Sequence, residues 1–406
     1  MASRADLAHL SEGQVLADVD LSRAEANALN ATKLVAVAPD PAGWIVTAAH
    51  AVGALRCGEL IVRVSPKVGQ IQVLRLLCRA YGLKGLTIDE SLVGVEADSD
   101  LTSVLAALFV QEAATALANG PLRGYRTEDQ TLNVLRGRLR LRDQELRRFG
   151  QLVPLEVTVD EWTADTDDNR RIRAATRHLI AQPDLTDSVR RRLTHIDRQL
   201  ADVWLAPRGT HLPQWTPTRL NLRMHRLLHL ADLVLDHMTI EHRAGDIVVH
   251  GFVLSLSWLF ERLVGRIFTE CGDVQTGDRA RRGLDRSGRL WIKPDFVFMR
   301  AGEAVAVADT KYKILDDNGR FPNADAYQLV TYCTRLGLGT GHLIYAAGEP
   351  CPAPFDILGS DIRLLIHAID LATEISDIDQ QLVTLYQRIS SPTGTEAARP
   401  AMVGHG

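Results

Sequence analysis

Residues 290–313 read LWIKPDFVFMRAGEAVAVADTKYK, and the charges inside this apolar stretch decide the fold. The pattern predicts two strands, Leu290–Met299 and Ala304–Tyr312, joined by a turn at Arg300-Ala301-Gly302-Glu303. Side chains alternate faces along a strand, so Val305, Val307, Asp309 and Lys311 share one face. An Asp and a Lys thus end a strand on the side that has just buried valines. On the partner strand Asp295 stands among aromatic and β-branched residues. Ionised groups in such places cost several kcal/mol unless paired or metal-bound. Two carboxylates about 4 Å apart repel by about 4 kcal/mol at an effective dielectric near 20. A hard divalent cation relieves that repulsion, and an oxygen-rich site suits Mg²⁺.

The flanking elements give the hairpin a setting. Before it, Ser255–Thr269 has helical periodicity, with Leu259, Leu263, Val264, Ile267 and Phe268 as its buried stripe and Glu261 on the same helix. Residues 278–289 carry five arginines against two aspartates and read as a basic loop, a phosphate contact or a solvated segment. After it, a helix runs from Asn323 to Leu336, with Gln328, Thr331, Tyr332 and Arg335 on one face. Strands near 341–347 and 361–368 complete a mixed sheet.

The set Pro294-Asp295 and Asp309-Thr310-Lys311 resembles the PD-(D/E)XK nuclease motif. D-x-K alone is short and common. Its weight comes from the Pro-Asp one strand earlier, the apolar strand before Asp309 and the polar-striped helix that follows. On this reading Asp295 and Asp309 bind Mg²⁺, with Mn²⁺ as an alternative ion, and the Thr310 carbonyl is a further ligand. Glu261 holds the metal or its water. Lys311 orients the attacking water or meets the charge growing on the phosphate. Gln328 and Tyr332 line the cleft.

The rest of the chain reads as α+β. VAVA (35–38), WIVTAA (44–49) and ELIVRVSP (59–66) look like strands, and 68–81 and 100–119 like helices. Gly120–Gly150 holds eight arginines against four acids, and Arg136, Arg138 and Arg140 would share a strand face. Phosphate contact, a partner-docking surface and ordinary ion pairs all remain open there. Helices are expected at 167–182, 187–203 and 217–238, the first opened by acids that suit a helix N-terminus. His225 and His229, four apart on the last of these, read as packing residues, since no third metal ligand accompanies them. The expected divisions are an N-terminal α+β partner-binding domain (1–155), a helical connecting region (156–245), a nuclease domain (246–390) and a disordered tail (391–406). The fold class is a multidomain α+β/α/β protein.

Composition narrows the class. The 406 residues carry a net charge of −4, which excludes a uniformly basic nucleic-acid coat but not a local patch. Five cysteines without a CxxC argue against a zinc ribbon or disulfide framework and fit a reducing cytoplasm. No apolar run reaches signal-peptide or membrane-spanning length, so no membrane partner is expected. G-x-x-x-x-G-K-[ST] is absent, so the chain is not expected to be its own P-loop motor.

Several short segments in order resemble the McrC family, over roughly residues 50–370. They are IVRVSPKV (61–68), Leu135-Arg136-Gly137-Arg138, Asp165 with Asn169-Arg170, Trp258-Leu259-Phe260-Glu261 and the nuclease motifs above. Ser65 before Pro66-Lys67 departs from the family pattern, and nothing after about 390 has a counterpart. The resemblance implies the nuclease subunit of a modification-dependent restriction system. Such a subunit binds a hexameric McrB-like AAA+ GTPase, stimulates it and cuts double-stranded DNA, with the 1–155 region as the contact to that motor. Two alternatives are a non-catalytic activator of an AAA+ motor and a stand-alone PD-(D/E)XK nuclease of DNA repair.

Overall fold

The computed structural model describes residues 4–83, 101–182, 185–207, 210–237, 242–244, 247–314, 323–347 and 354–391. It is a mixed α+β chain in two compact units. One unit comprises Met1–Leu86, Arg243–Ile247 and Val253–Gly406; the other comprises Thr87–His242 and Val248–Phe252. The expected boundary at 245 falls where the two units meet along the chain, whereas the one at 155 lies inside the second unit. The first 86 residues are not part of a separate N-terminal domain but pack with the hairpin. The reason lies in contacts some 300 residues apart. Gln72 on the Gln70–Ala80 helix donates to the carbonyls of Leu371 and Thr373 at 2.8 and 2.7 Å. Arg79 bonds Asp379 at 2.8 Å and Glu270 at 2.9 Å. Local sequence patterns carry no trace of such pairings. The expected disordered tail lies outside the described residues, apart from Ser391.

In the first unit the central sheet runs Val274–Thr276, Phe296–Arg300, Glu303–Ile314, Thr340–Ala347, Arg363–Ala368, Phe355–Asp356. The first three strands are antiparallel; the next two join in parallel after a crossover helix, Asn323–Leu336. Parallel neighbours need such a crossover. The hairpin turn is tighter than four residues. Arg300 pairs with Glu303, and Ala301 and Gly302 both take positive φ (52° and 86°). That is the geometry of a two-residue type I′ turn, whose twist matches the strands.

The expected Leu290–Met299 strand is broken. Trp291–Ile292 leaves the sheet and pairs antiparallel with Arg282–Gly283, and the sheet strand starts only at Phe296. Pro294 lacks the N–H a ladder needs, so the chain kinks there and Asp295 stands at the strand's edge.

Helices cover the two faces. The Leu256–Cys271 helix lays its predicted stripe on one face, with Phe268 against Phe296 and Phe298 at ring-centroid distances of 5.4 and 5.3 Å. The Asn323–Leu336 helix covers the other through Leu329, Tyr332 and Cys333 against Val307, Leu343 and Leu364. Gly341 lets it come close: a Cβ there would stand 2.7 Å from Leu329 Cγ and Cys333 Sγ. A further helix, Ile375–Ser390, and a capped one, Arg23–Thr32, were not anticipated. The second announces itself in the sequence: Ser22 and Glu25 form a reciprocal capping box.

In the second unit Gly124–Leu132, Leu155–Thr163 and the short Arg138–Leu139 form an antiparallel sheet beside the helices Leu101–Ala116, Asp167–Ile180, Asp187–Gln199 and His225–His237. The expected arginine-faced strand over 135–141 shrinks to two residues, and Leu141–Arg148 is a helix. Acids of the neighbouring strands take up most of that charge. Arg136 pairs with Glu161, Arg140 with Asp129, and Arg148 with Glu156. The Asp165/Asn169/Arg170 group is a structural knot. Asp165 accepts two hydrogen bonds from Arg170 at 2.6 Å and one from the Trp204 amide at 2.8 Å, and Asn169 donates to the carbonyls of Leu122 and Ala164. His225 and His229 pack on Trp215, as expected of packing residues. Among the described residues no helix is long and apolar enough to cross a membrane.

Candidate active site

The ladder register places the two aspartates together. Phe296 pairs with Ala308 and Val297 with Val307. Asp295 is the next residue beyond that ladder, near enough for its charge to raise the proton affinity of Asp309. Thr310, on the reverse face, clamps Asp295: its amide and hydroxyl donate to Asp295 Oδ2 at 2.7 and 2.6 Å. Asp309 is 2% exposed. Lys311 Nζ approaches its Oδ2 to 2.5 Å, yet that buried oxygen has no partner in hydrogen-bond geometry.

The following helix holds the lysine. Lys311 donates to Gln328 Oε1 at 3.0 Å, Gln328 donates to the Tyr332 hydroxyl at 2.6 Å, and Tyr332 donates to the Lys293 carbonyl at 3.3 Å. That chain ties the second strand to the residue before Pro294-Asp295. Thr331 and Arg335, expected on the same face, serve other ends: Thr331 bonds back to the Tyr327 carbonyl, and Arg335 binds the Gly283 carbonyl.

Glu261 arrives from the other helical layer. Its side chain reaches solvent, but the surrounding protein and the charges of Asp295 and Asp309 push its carboxyl up to about 7. Burial, then the charge of Asp295, pushes Asp309 to about 7 as well. Burial also raises Asp295, against the hydrogen bonds from Thr310. For Lys311, burial works against its charge, but the Asp309 carboxylate outweighs it and holds the ammonium protonated.

Two residues escaped the sequence reading. Asp325 is 6% exposed, accepts from the Tyr345 hydroxyl at 3.1 Å, and its charge bears on both Asp309 and Lys311. It lies three residues before Gln328, so extending the Gln328/Tyr332 stripe back one turn would have found it. Lys293 lowers the proton affinity of both Glu261 and Asp295, and its signal was the Lys-Pro-Asp triplet itself.

All six expected site residues therefore converge at one end of the hairpin. The family described as McrBC 5-methylcytosine restriction system component matches residues 46–346, well over half of the sequence. The chain belongs to the McrBC family. No curated protein matches this McrBC-family chain. Among solved structures it is similar to a chain of the refined half-complex from the tetradecameric assembly of Thermococcus gammatolerans McrB AAA+ hexamers with bound McrC. The identity is 19% and the TM-score 0.57, over 94% of this chain and 99% of that one. It is also similar to a chain of the Thermococcus gammatolerans McrBC complex, at 22% identity and TM-score 0.43, over 64% and 87%. The first of these shows a shared fold.

The site of this McrBC-family chain suits Mg²⁺ by its chemistry. Its donors are all oxygens, and Asp309 Oδ2 is a buried oxygen without an aligned donor. Among the described residues no group of three or more His, Cys, Asp or Glu side chains is placed to hold a metal ion. Mg²⁺ does not need one, since it is commonly held by one or two carboxylates with waters and substrate phosphate completing the shell.

A pH dependence follows. Asp309 and Glu261 have folded pKa values raised well above those of an unfolded chain, near 4. Between about pH 4 and 7 the folded state binds more protons, so stability falls as pH rises through that window and the penalty is complete above it. In chelator, wild-type Tm is expected to drop more from pH 5.5 to pH 8 than that of Asp309→Asn. At pH 8, Mg²⁺ should raise the wild-type Tm only. Identical thermal melts for the two proteins would refute the assignment.

Proposed function

We propose that this chain is the DNA-cutting subunit of a GTP-dependent restriction complex directed at modified DNA, with a PD-(D/E)XK nuclease centre. The observation that carries it is the proximity of Asp295 and Asp309 at one end of the hairpin, with Lys311 on Asp309 and held by Gln328. A half-buried Asp295 beside a buried Asp309 has no structural use that valines would not serve better, whereas such a pair is what a site for a divalent cation and a phosphodiester requires.

Asp295, Asp309 and the Thr310 carbonyl would hold Mg²⁺, and Glu261 would hold the metal or its water. Bound there, the ion supplies charge neutralisation at the phosphate and a more acidic water. The chain's own residues do the rest. Thr310 fixes the rotamer of Asp295, so its free oxygen stays aimed into the site. Lys311, kept charged by Asp309, places its ammonium where negative charge grows on the phosphate as water adds to phosphorus and a P–O bond breaks. Gln328 and Tyr332 stop that long side chain from swinging away, since an unrestrained lysine loses much of its effect to rotamer entropy. Glu261, with proton affinity near neutrality, accepts a proton from the attacking water.

The test is cleavage of methylated duplex DNA with Mg²⁺ or Mn²⁺, with and without a GTP-hydrolysing AAA+ partner. Cutting that needs partner and GTP supports the proposal. Cutting by the chain alone favours a stand-alone nuclease. GTPase stimulation without any cutting favours a non-catalytic activator.

The partner contact belongs on the 124–163 module. Its exposed face carries Phe149 (91% exposed), Leu152 (88%), Tyr125 (78%) and Trp162 (56%), with Tyr125 and Trp162 paired across the strands at a 4.9 Å ring-centroid distance. Exposed aromatics of this kind mark protein interfaces. Deleting 1–150 is a poor probe, because residues 1–86 belong to the hairpin's own unit. Replacing Tyr125, Phe149, Leu152 and Trp162 by serine is expected to cut GTPase stimulation at least tenfold, using about 1–2 kcal/mol per buried anchor. Retained stimulation would move the contact elsewhere.

A further inference from the structure

The segment that leaves the sheet at Pro294 has a form of its own. Arg282–Gly283 pairs with Trp291–Ile292, and the Leu284 amide donates to the Leu290 carbonyl at 2.8 Å, so the two strands make a short ribbon. Its turn is closed by Asp285, which accepts from the Leu290 amide at 2.7 Å. The ribbon is anchored rather than loose. Ile292 is 5% exposed in the core that includes Leu329 and Tyr332, Arg335 of the Gln328 helix binds the Gly283 carbonyl, and Arg282 binds Gln275 of the edge strand. Three residues past Ile292 the chain reaches Asp295.

What the ribbon displays is unusual for a protein of net charge −4. Arg279, Arg281, Arg286 and Arg289 are exposed. Trp291, Leu290 and Leu284 are exposed too, and the Arg281 guanidinium stacks 3.7 Å from the Trp291 ring centroid. That cation–π contact holds the exposed Trp291 ring in place. Clustered guanidinium groups beside an aromatic face match a polyanion whose charges flank flat, partly apolar rings and sugars. A two-stranded ribbon also fits the width of the major groove and is too wide for the minor.

We infer that the 279–292 ribbon is this chain's grip on duplex DNA. It enters the major groove with its arginines on phosphates and Trp291 with its flanking leucines against the groove wall, and it sets the scissile phosphate against Asp295. This rests on the nuclease reading but can fail separately from it. The occupant follows from charge: an acidic protein surface would meet the arginines but offer no groove for the ribbon.

The experiment measures anisotropy of a fluorescent duplex of about 30 base pairs, long enough for a full site, with the intact chain in chelator over a salt series. Each lost phosphate contact makes the slope of log Kobs against log salt shallower by about 0.9. The triple variant Arg281→Ala/Arg286→Ala/Arg289→Ala is expected to flatten the slope by about 2–3 and to weaken binding more than tenfold at low salt. The triple lysine variant, which keeps the charge, should retain the slope. An unchanged slope in the alanine variant overturns the inference. So does a lysine variant that fails as badly as alanine. Binding in chelator requires no cleavage, so a catalytically silent chain leaves this test intact, and a cutting chain with unchanged alanine-variant binding sinks only the ribbon.

Discussion

Asp309→Ala is expected to abolish DNA cleavage, by more than about 10³-fold, while folding and GTPase stimulation persist. The magnitude follows from what the residue does. Losing one preorganised electrostatic partner of a transition state costs about 10²–10³ in rate, and Asp309 serves two: it is a cation ligand in the proposed site, and it holds Lys311 at 2.5 Å. Its loss leaves Asp295 to hold the ion and lets Lys311 drift to Gln328 alone. Lys311→Ala should match it closely, since the groups act as a unit and effects of such groups do not add. The fold should tolerate the change. Removing the buried member of two repelling carboxylates relieves strain, so the metal-free variant at pH 8 should melt higher than wild type. Single-turnover cleavage of a defined duplex, read beside a thermal melt, checks both halves. Wild-type cleavage in either variant would refute the site, and a collapsed melt would show that the residue is structural.

The second large effect lies far from the chemistry. Arg79→Met is expected to destabilise the hairpin's unit by about 3 kcal/mol, because removing one partner of a buried ion network strands the others. Arg79 keeps only 10% of its side chain exposed and bonds Glu270 of the Glu261 helix and Asp379 of the C-terminal helix at once. It joins the Gln70–Ala80 helix to both. Both acids are partly exposed, which puts the loss at the lower end of the 3–5 kcal/mol seen for buried pairs. Urea denaturation at pH 7 reads it as a fall in midpoint at constant slope. A change under 1 kcal/mol would show the network to be a surface ornament. Cleavage at low temperature, where the fold survives, should be nearly normal.

Much of this was legible without coordinates, for local reasons. A charge stranded in an apolar strand needs no tertiary information to be noticed, so Asp295, Asp309 and Lys311 stood out at once. Gln328 and Tyr332 share a helix face by spacing alone, and that spacing puts both on one hydrogen-bond chain from Lys311 to the Lys293 carbonyl. Where the reading erred, the deciding force was non-local or chemical at a single atom. Pro294 has no N–H, and so ended the strand early and freed the ribbon. The arginines of 120–150 looked like an anion site because their acids, Glu156 and Glu161, come from a strand that follows them in the chain.

Local pattern was enough for the hairpin, the charges that crowd its end and the helices on either side, since these follow from periodicities of two and 3.6 and from the cost of burying charge. Long-range packing set the company they keep. It put residues 4–83 in the hairpin's own unit, brought the charge of Asp325 to bear on Lys311, and turned an arginine-rich loop into an anchored ribbon. Those outcomes rest on hydrogen bonds and packing between segments up to 300 residues apart. Their free energy belongs to pairs of segments, so neither segment's sequence states it alone.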